Sequence, residues 1–173
     1  MSPDVFVHPM AVVDEDAEIG RGSRIWQFAS VVRRARLGYD CNVASGATVD
    51  AARLGDRCIV GHNTLIPPGV WIEDDVFVGP NVVICNDSWP STSKDGFSME
   101  PLLSLEFIAV RVARSVSISA GVIILPGVTI GENSIIAAGA VVSHPVAANM
   151  LFFREGAVRS RDFVRERSRM RKA

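Results

Sequence analysis

Histidine, cysteine and long apolar runs are scarce in this sequence. It has three histidines and three cysteines in 173 residues, with neither a Cys-x-x-Cys nor a His-x4-His spacing. These absences argue against a disulfide framework and against a zinc site. No apolar run reaches membrane-spanning length, and the opening MSPDVFVHPM lacks the basic and apolar regions of a signal peptide. We therefore expect a cytoplasmic protein with no membrane partner and no metal.

The charge is distributed unevenly, although its net value is only −1. Residues 154–173 contain eight Lys and Arg against three Asp and Glu. Phe163 and Met170 lie seven apart in this stretch, which is typical of one side of a helix. We predict a basic helical tail over residues 151–173. Because the tail has few aromatic residues and the rest of the chain is acidic, we do not expect nucleic-acid binding.

Apolar residues recur at every sixth position. The series Ile118, Ile124, Ile130, Ile136 and Val142 is one example, and a small or β-branched residue follows each member four positions later. The same pattern runs from residue 7 to 49, slips by one residue in VDAAR, and resumes at residue 54. The chain therefore has about twenty units of six, the signature of a solenoid.

The repeat suggests how each hexad is built. If each is a short strand and a turn, and three close a triangular coil, the first residue points into a common core. The fifth residue lies near a corner, where only a slim side chain packs. We expect glycine in second place, as in IG, LG and VG, to supply the unusual backbone angles of the bend. Stability then comes from stacking of the coils.

This spacing resembles that of the hexapeptide-repeat acyltransferases. The resemblance implies an all-β fold, a left-handed parallel β-helix solenoid of hexapeptide repeats with one long loop and a short C-terminal helix. The β-helix would span residues 1–150, with a loop excursion at 86–111 where the period is lost, and the tail would follow at 151–173. The resemblance also implies a homotrimer with sites at the subunit interfaces.

Two motifs narrow the resemblance. IEDDVFVGPNVVICNDSWP at residues 72–90 and IGRGSRIWQFASVV at 19–32 are similar to signatures of sugar N-acetyltransferases that act on nucleotide-linked amino sugars. The implied reaction transfers acetyl from acetyl-CoA to the amine of a dTDP- or UDP-linked amino or deoxyamino sugar. Two alternatives remain open: an O-acetyltransferase of the same fold, and a hexapeptide scaffold without catalysis.

Attack by a sugar amine benefits from a base that takes its proton, and histidine is the usual choice. His62 aligns with a polar pair that lies close to the sugar amine in the family, and Asn63 is beside it. We assign both to catalysis, with a hydrogen-bonding or structural role for His62 as the alternative. For His8 we expect a surface or trimer contact, and for His144 a turn.

The remaining candidates fall into two groups. Amide, carboxylate and aromatic side chains can hold a sugar or a base, although solvation of the carboxylates and packing of the tryptophan are the rival roles. The substrate-binding candidates are Glu73, Asn86, Asp87 and Trp89. By analogy with the family, backbone amides near glycines of the last coils would contact acetyl-CoA, namely those of Ala120, Gly121, Ala138 and Gly139. We assign no chemistry to Cys41, Cys58 and Cys85.

Overall fold

A computed structural model describes residues 4–90, 106–153, 158–160 and 162. Over these residues the chain winds into a solenoid, and its short strands form three sheets. Successive strands of a sheet come from successive coils and pair in parallel. The second sheet has seven strands, which defines seven coils. The β-helix predicted from the hexads is therefore confirmed.

The strands are two or three residues long, and each of the first six coils supplies one to each sheet in turn. The first sheet contains β1 Phe6–Val7, β4 Arg24–Ile25, β7 Asn42–Val43, β10 Ile59–Val60, β13 Phe77–Val78, β16 Ser117–Ile118, β19 Ile135–Ile136, β21 Met150–Phe152 and β22 Val158–Ser160. The second contains β2 Val12–Val13, β5 Ser30–Val32, β8 Thr48–Asp50, β11 Leu65–Ile66, β14 Val83–Ile84, β17 Ile123–Ile124 and β20 Val141–Val142. The third contains β3 Glu18–Ile19, β6 Arg36–Leu37, β9 Arg53–Leu54, β12 Val70–Ile72, β15 Val110–Val112 and β18 Thr129–Ile130.

Each coil turns at three corners. The first corner joins the first sheet to the second, the second corner joins the second to the third, and the third corner leads to the next coil. The first residue of each hexad points inward, as at Ile118, Ile124 and Ile130, which are fully buried. Fifth residues such as Ala29 and Cys58 are also buried. Both predicted packing positions are therefore confirmed.

The bends use a different hexad position from the one predicted. Positive φ falls mainly on the fourth residue and never on the second-place glycine; Arg33, a third residue, also has it. The fourth residues with positive φ are Gly22, Phe28, Arg34, Asp40, Gly46, Arg57, Asn63, Gly69, Asp75, Asn81, Ser115, Gly121, Gly127, Asn133, Gly139 and Asn149. The second-place glycine allows close stacking of the coils instead. A Cβ on Gly61 would lie 2.5 Å from the carbonyl carbon of Gly79 in the next coil.

The slip in VDAAR lies at the second corner of coil 3. This hexad has five residues, so Ala51 takes the left-handed conformation with φ 46°. Ala52 fills the buried corner position. After the shortened turn, Arg53 still pairs in register with Trp71 of the next coil. The loss of one residue is therefore absorbed at the corner and does not shift the sheet.

The long excursion leaves the solenoid after β14 and returns at β15. The sheets continue across it, since Val83 pairs with Ile123 and Trp71 with Arg111. The excursion therefore ends at residue 109, two residues before the predicted limit, because Val110 already pairs in the third sheet. Residues 91–105 lie outside the described part of the chain.

The last coil ends in two strands where the helical tail was predicted to begin. β21 continues the first sheet beside β19, and β22 folds back antiparallel on it. Phe152 is fully buried in the core and lies 5.5 Å from the ring of His144. The helix predicted for the start of the tail is therefore wrong over the described residues, which form strands because they complete the first sheet. Beyond Ser160 only Asp162 is described, so the rest of the prediction lies outside the described residues.

Candidate functional site

The predicted site residues lie at three different corners of the solenoid. The catalytic pair lies at the first corner of coil 4, on the same edge as the predicted donor contacts of coils 6 and 7. The excursion candidates lie at the second corner of coil 5, and Glu73 lies at the third corner of coil 4. One chain therefore aligns the catalytic pair with the donor residues, and it does not bring the substrate-binding candidates to them.

His62 and Asn63 occupy the third and fourth places of their hexad, and both side chains are exposed. The coils on either side hold their backbone. The N–H of Asn63 donates to the carbonyl of Ser45 at 3.2 Å, and the carbonyl of His62 accepts from the N–H of Asn81 at 2.9 Å. A Cβ on Gly46 would collide with Oδ1 of Asn63. The asparagine side chain therefore leans toward coil 3.

The first corner is electrically neutral from coil 4 to coil 7. Its four turns span residues 61–64, 79–82, 119–122 and 137–140, and they contain no Asp, Glu, Lys or Arg. His62 is the one titratable side chain among them. Among the side chains of these four turns, His62 is therefore the one that can accept a proton.

The amides predicted to contact acetyl-CoA are of two kinds. The N–H of Gly121 donates to the carbonyl of Pro80, and that of Gly139 donates to the carbonyl of Ala120, both at 3.0 Å. Those two amides hold the coils together. The N–H groups of Ala120 and Ala138 make no hydrogen bond within the described residues. A Cβ on Gly121 would meet nothing within 4 Å, so the surface beside these amides is open.

Glu73 is engaged by the protein itself. Its Oε1 accepts from Nη2 of Arg111 at 2.7 Å, and its Oε2 accepts from the backbone N–H of Arg114 at 3.2 Å. The hydrogen bond from Arg111 holds the pKa of Glu73 below its usual range. Arg111 in turn lies 4.6 Å from the centre of the Trp71 ring. These contacts give Glu73 a structural role at the third corner.

The excursion begins with a turn that presents an aromatic ring. Nδ2 of Asn86 donates to the carbonyl of Pro68 at 3.0 Å, and Oδ1 of Asp87 accepts from the N–H of Trp89 at 2.8 Å. Trp89 is 88% exposed. The asparagine therefore anchors the turn to coil 4, and the tryptophan ring is left for another contact.

The two buried thiols make contacts within the core. Cys41 and Cys58 donate to the carbonyls of Gly55 and Glu73, each at 3.1 Å. The contact with Cys41 and burial raise the pKa of Cys58, which favours an inert thiol.

No group of three His, Cys, Asp or Glu in the described ranges could hold a metal ion. Over the same ranges no helix is long and apolar enough to cross a membrane.

Sequence reasoning missed the partner of Glu73. Arg111 follows Trp71 on the outer face of the third sheet, one coil further along. The hexad period does not show this neighbour, because three hexads and the excursion separate the two in the chain. Assigning every third hexad to one sheet would have placed Arg111 beside the corner that carries Glu73.

The repeats match a known sequence family. The family described as bacterial transferase hexapeptide (six repeats) matches residues 51–86 and 109–144, one block on each side of the excursion. The chain is 41% identical over 83 residues to a protein of Schizosaccharomyces pombe described provisionally as an acetyltransferase, covering 47% of this chain and 38% of the relative. It is 36% identical over 91 residues to mitochondrial gamma carbonic anhydrase 2 of Arabidopsis thaliana, covering 44% and 32%. The chain thus spans less than half the length of these two relatives.

A solved structure shares the fold over most of the chain. It is a variant of GDP-perosamine N-acetyltransferase from Caulobacter crescentus in complex with CoA and GDP-perosamine. The TM-score is 0.54 at 21% identity, and the match covers 90% of this chain and 56% of the other. At that identity the likeness shows a common fold.

Proposed function

We propose that this hexapeptide-repeat protein is an acyl-CoA-dependent sugar N-acetyltransferase. It transfers acetyl from acetyl-CoA to the amine of a dTDP- or UDP-linked amino or deoxyamino sugar. The observation that carries the proposal is the first corner, where one titratable side chain, His62, stands on the same neutral edge as the open amides of coils 6 and 7. The C. crescentus enzyme, which binds CoA and a nucleotide-linked amino sugar on the same fold, supports it.

His62 acts as the general base. The amine nitrogen attacks the thioester carbonyl carbon, the C–N bond forms, and the imidazole takes the proton that the amine loses. The C–S bond then breaks, and the leaving thiolate receives a proton from the imidazolium, so the thiol of CoA is released. Asn63 orients the amine through its amide group. The neutral turns around His62 add no charge that would hold the amine as an ammonium ion.

The open amides bind the acyl donor. Strands of neighbouring coils are about 4.8 Å apart, so Ala120 and Ala138 lie two and three coils, about 10 and 14 Å, from His62 along the edge. An extended donor with amide groups in its arm can run along this edge, accepting hydrogen bonds from the two N–H groups. Gly121 and Gly139 lack side chains, and a Cβ on Gly121 would meet nothing within 4 Å, which leaves room for its approach.

The acceptor site is completed by a second subunit of a homotrimer. Asn86, Asp87 and Trp89 lie at the second corner, which the second sheet separates from His62 in one chain. The outer face of that sheet carries exposed apolar side chains in register, namely Leu65, Val83, Ile123 and Val141. The corresponding outward residues of the third sheet are charged in four of six coils, namely Glu18, Arg36, Arg53 and Arg111, with Trp71 and Thr129 at the other two. An apolar face of this kind favours contact between subunits.

The test is thiol release from acetyl-CoA with a panel of uridine- and thymidine-diphosphate amino sugars. We expect turnover with at least one sugar, and a loss of about a hundredfold or more in kcat for His62→Ala. His8→Ala is the control, because His8 lies on the same edge in coil 1, three coils from His62. Unchanged turnover of His62→Ala would remove the base from the proposal.

The same panel separates the alternatives. Acetylation of sugars that carry hydroxyl groups and no amine would show an O-acetyltransferase. A scaffold without catalysis would turn over no sugar, and acetyl-CoA would not raise its melting temperature, whereas an enzyme that binds the donor is stabilised by it.

A further inference from the structure

Phe28 combines exposure with a backbone conformation that aromatic residues rarely adopt. Its φ is 61°, and its side chain is 61% exposed. The other described residues with positive φ are Gly, Asn, Asp, Arg, Ser and Ala. A bulky side chain in the left-handed region is an outlier, and such outliers cluster at binding sites. The ring is therefore placed in solvent at some cost in free energy.

Phe28 lies on the edge that carries His62. It occupies the first corner of coil 2, two coils before the histidine, which corresponds to about 10 Å. Between them the edge presents the partly exposed polar side chains of Gln27 and Ser45. Gly46 follows Phe28 in the column of fourth residues, and the side chain of Asn63 leans over it from coil 4. This polar stretch suits the sugar that the nucleotide carries.

The residues beside Phe28 are held firmly. Nε1 of Trp26 donates to Oδ1 of Asn42 at 2.7 Å, and its ring lies 5.3 Å from the ring of Phe6. The N–H of Phe28 donates to the carbonyl of Met10 at 3.0 Å. The backbone that carries the Phe28 ring is thus fixed before any ligand arrives, which reduces the entropy lost on binding.

The same coil offers a cation. Arg24 is exposed and makes no ion pair within the described residues. The other three arginines of the coil differ from it, since Arg33, Arg34 and Arg36 pair with acidic side chains. A guanidinium without a carboxylate partner is suited to bidentate binding of phosphate.

From these observations we infer that coil 2 is the nucleotide subsite of the acceptor, where Phe28 stacks on the base and Arg24 binds the diphosphate. The inference rests on the proposed function and extends it. Base stacking on an aromatic ring tolerates different bases. The acceptor then lies along the edge with its nucleotide at coil 2 and its amine at coil 4, and the donor follows at coils 6 and 7.

The first test is binding of UDP and dTDP, measured by calorimetry. Phe28→Asn removes the ring and keeps a residue that accepts positive φ. We expect it to weaken binding about tenfold. Tyr39→Asn is the matched control, because Tyr39 is a 52% exposed aromatic of the same coil at the third corner. Arg24→Gln is expected to weaken binding to a similar degree, whereas Arg36→Gln, on the outer face of the third sheet, should leave it unchanged.

Turnover distinguishes the possible failures. With a nucleotide-linked amino sugar, Phe28→Asn should raise KM about tenfold and leave kcat unchanged, with the melting temperature and oligomeric state of the wild type. Turnover by the wild type together with an unchanged KM in Phe28→Asn would overturn this inference and leave the proposed function intact. Turnover only with amino sugars that lack a nucleotide, and no binding of UDP or dTDP, would overturn both the nucleotide-linked acceptor and the subsite.

Discussion

Single buried hydroxyl groups tie neighbouring coils together. Oγ1 of Thr64 donates to the carbonyl of Gly79 at 2.8 Å and accepts from the N–H of Val82 at 3.1 Å. Thr64→Val keeps the shape and leaves both backbone groups buried without a partner, so we expect a loss of about 2 kcal/mol in the free energy of unfolding. Thr64→Ser keeps the hydroxyl and should lose only about 1 kcal/mol with the methyl group. Denaturant titration at fixed protein concentration measures both, and a valine variant as stable as wild type would contradict the expectation.

Glu73 contributes to stability in a way that depends on pH. Because Arg111 lowers its pKa in the folded state, its contribution is present above the ordinary glutamate pKa and is lost as the pH falls through the folded value. We expect Glu73→Gln to be less stable than wild type by about 1 kcal/mol or less at pH 7, and the difference to be lost as the pH falls through the lowered folded-state pKa of Glu73. Glu132→Gln, an exposed glutamate at the same corner, should show no such difference.

The ion pair also bears on the function predicted for Glu73. Thermal unfolding across pH measures the contribution of Glu73 to stability, and KM for the acceptor measures its contribution to binding. A raised KM in Glu73→Gln with unchanged stability would restore the substrate-binding role, and the reverse result would support a purely structural one.

Within the coil, the two kinds of glycine should respond differently to alanine. At Gly61 an added Cβ meets backbone at 2.5 Å, so we expect Gly61→Ala to cost about 2 to 3 kcal/mol. At Gly127 the added Cβ meets nothing within 4 Å, and only the positive φ of 82° opposes it, at about 1 kcal/mol. Chemical denaturation of the two variants compares the costs. A smaller loss at Gly61 would show that the coils can move apart.

The difference between second-place and fourth-place glycines explains which features of the hexad could be predicted from the sequence and which could not. The six-residue period predicted the inward and corner positions, because burial demands the same type of side chain in every coil. The bend position was missed because the fourth residues vary among Gly, Asn, Asp, Arg, Ser and Phe and form no visible column. The repeated second-place glycine was conspicuous, but it reflects contact between coils that a single hexad cannot show.

For the whole molecule, the distribution of exposed apolar residues predicts the assembly. Ile123 is 37% exposed on the outer face of the second sheet, and Thr129 lies on the third sheet of the same coil. We expect a trimer for wild type and for Thr129→Lys, and dissociation for Ile123→Lys, because the buried lysine would lack a partner. Sedimentation measures the mass in each case. A monomeric wild type at micromolar concentration would contradict the proposed interface.

The candidate site was only partly predictable, because the sequence does not show which of the three corners a hexad forms. Corner identity repeats every third hexad, and the sequence pattern is nearly identical in all hexads. His62 and Gly121 were expected to serve one site, and they lie on one edge because both follow strands of the first sheet. Asn86 and Glu73 were expected beside them and lie at the other two corners. The structure of the coils is therefore needed to assign each residue to one of the three edges.

The excursion has a consequence for how this molecule can acquire new substrates. Its two ends are anchored in sheets whose register is the same before and after it, as the pairs Val83 with Ile123 and Trp71 with Arg111 show. The entropy of closing such a segment grows only with the logarithm of its length. The segment can therefore be exchanged for a longer or shorter one at little expense to folding, which makes it a natural point for diversification and a convenient one for grafting.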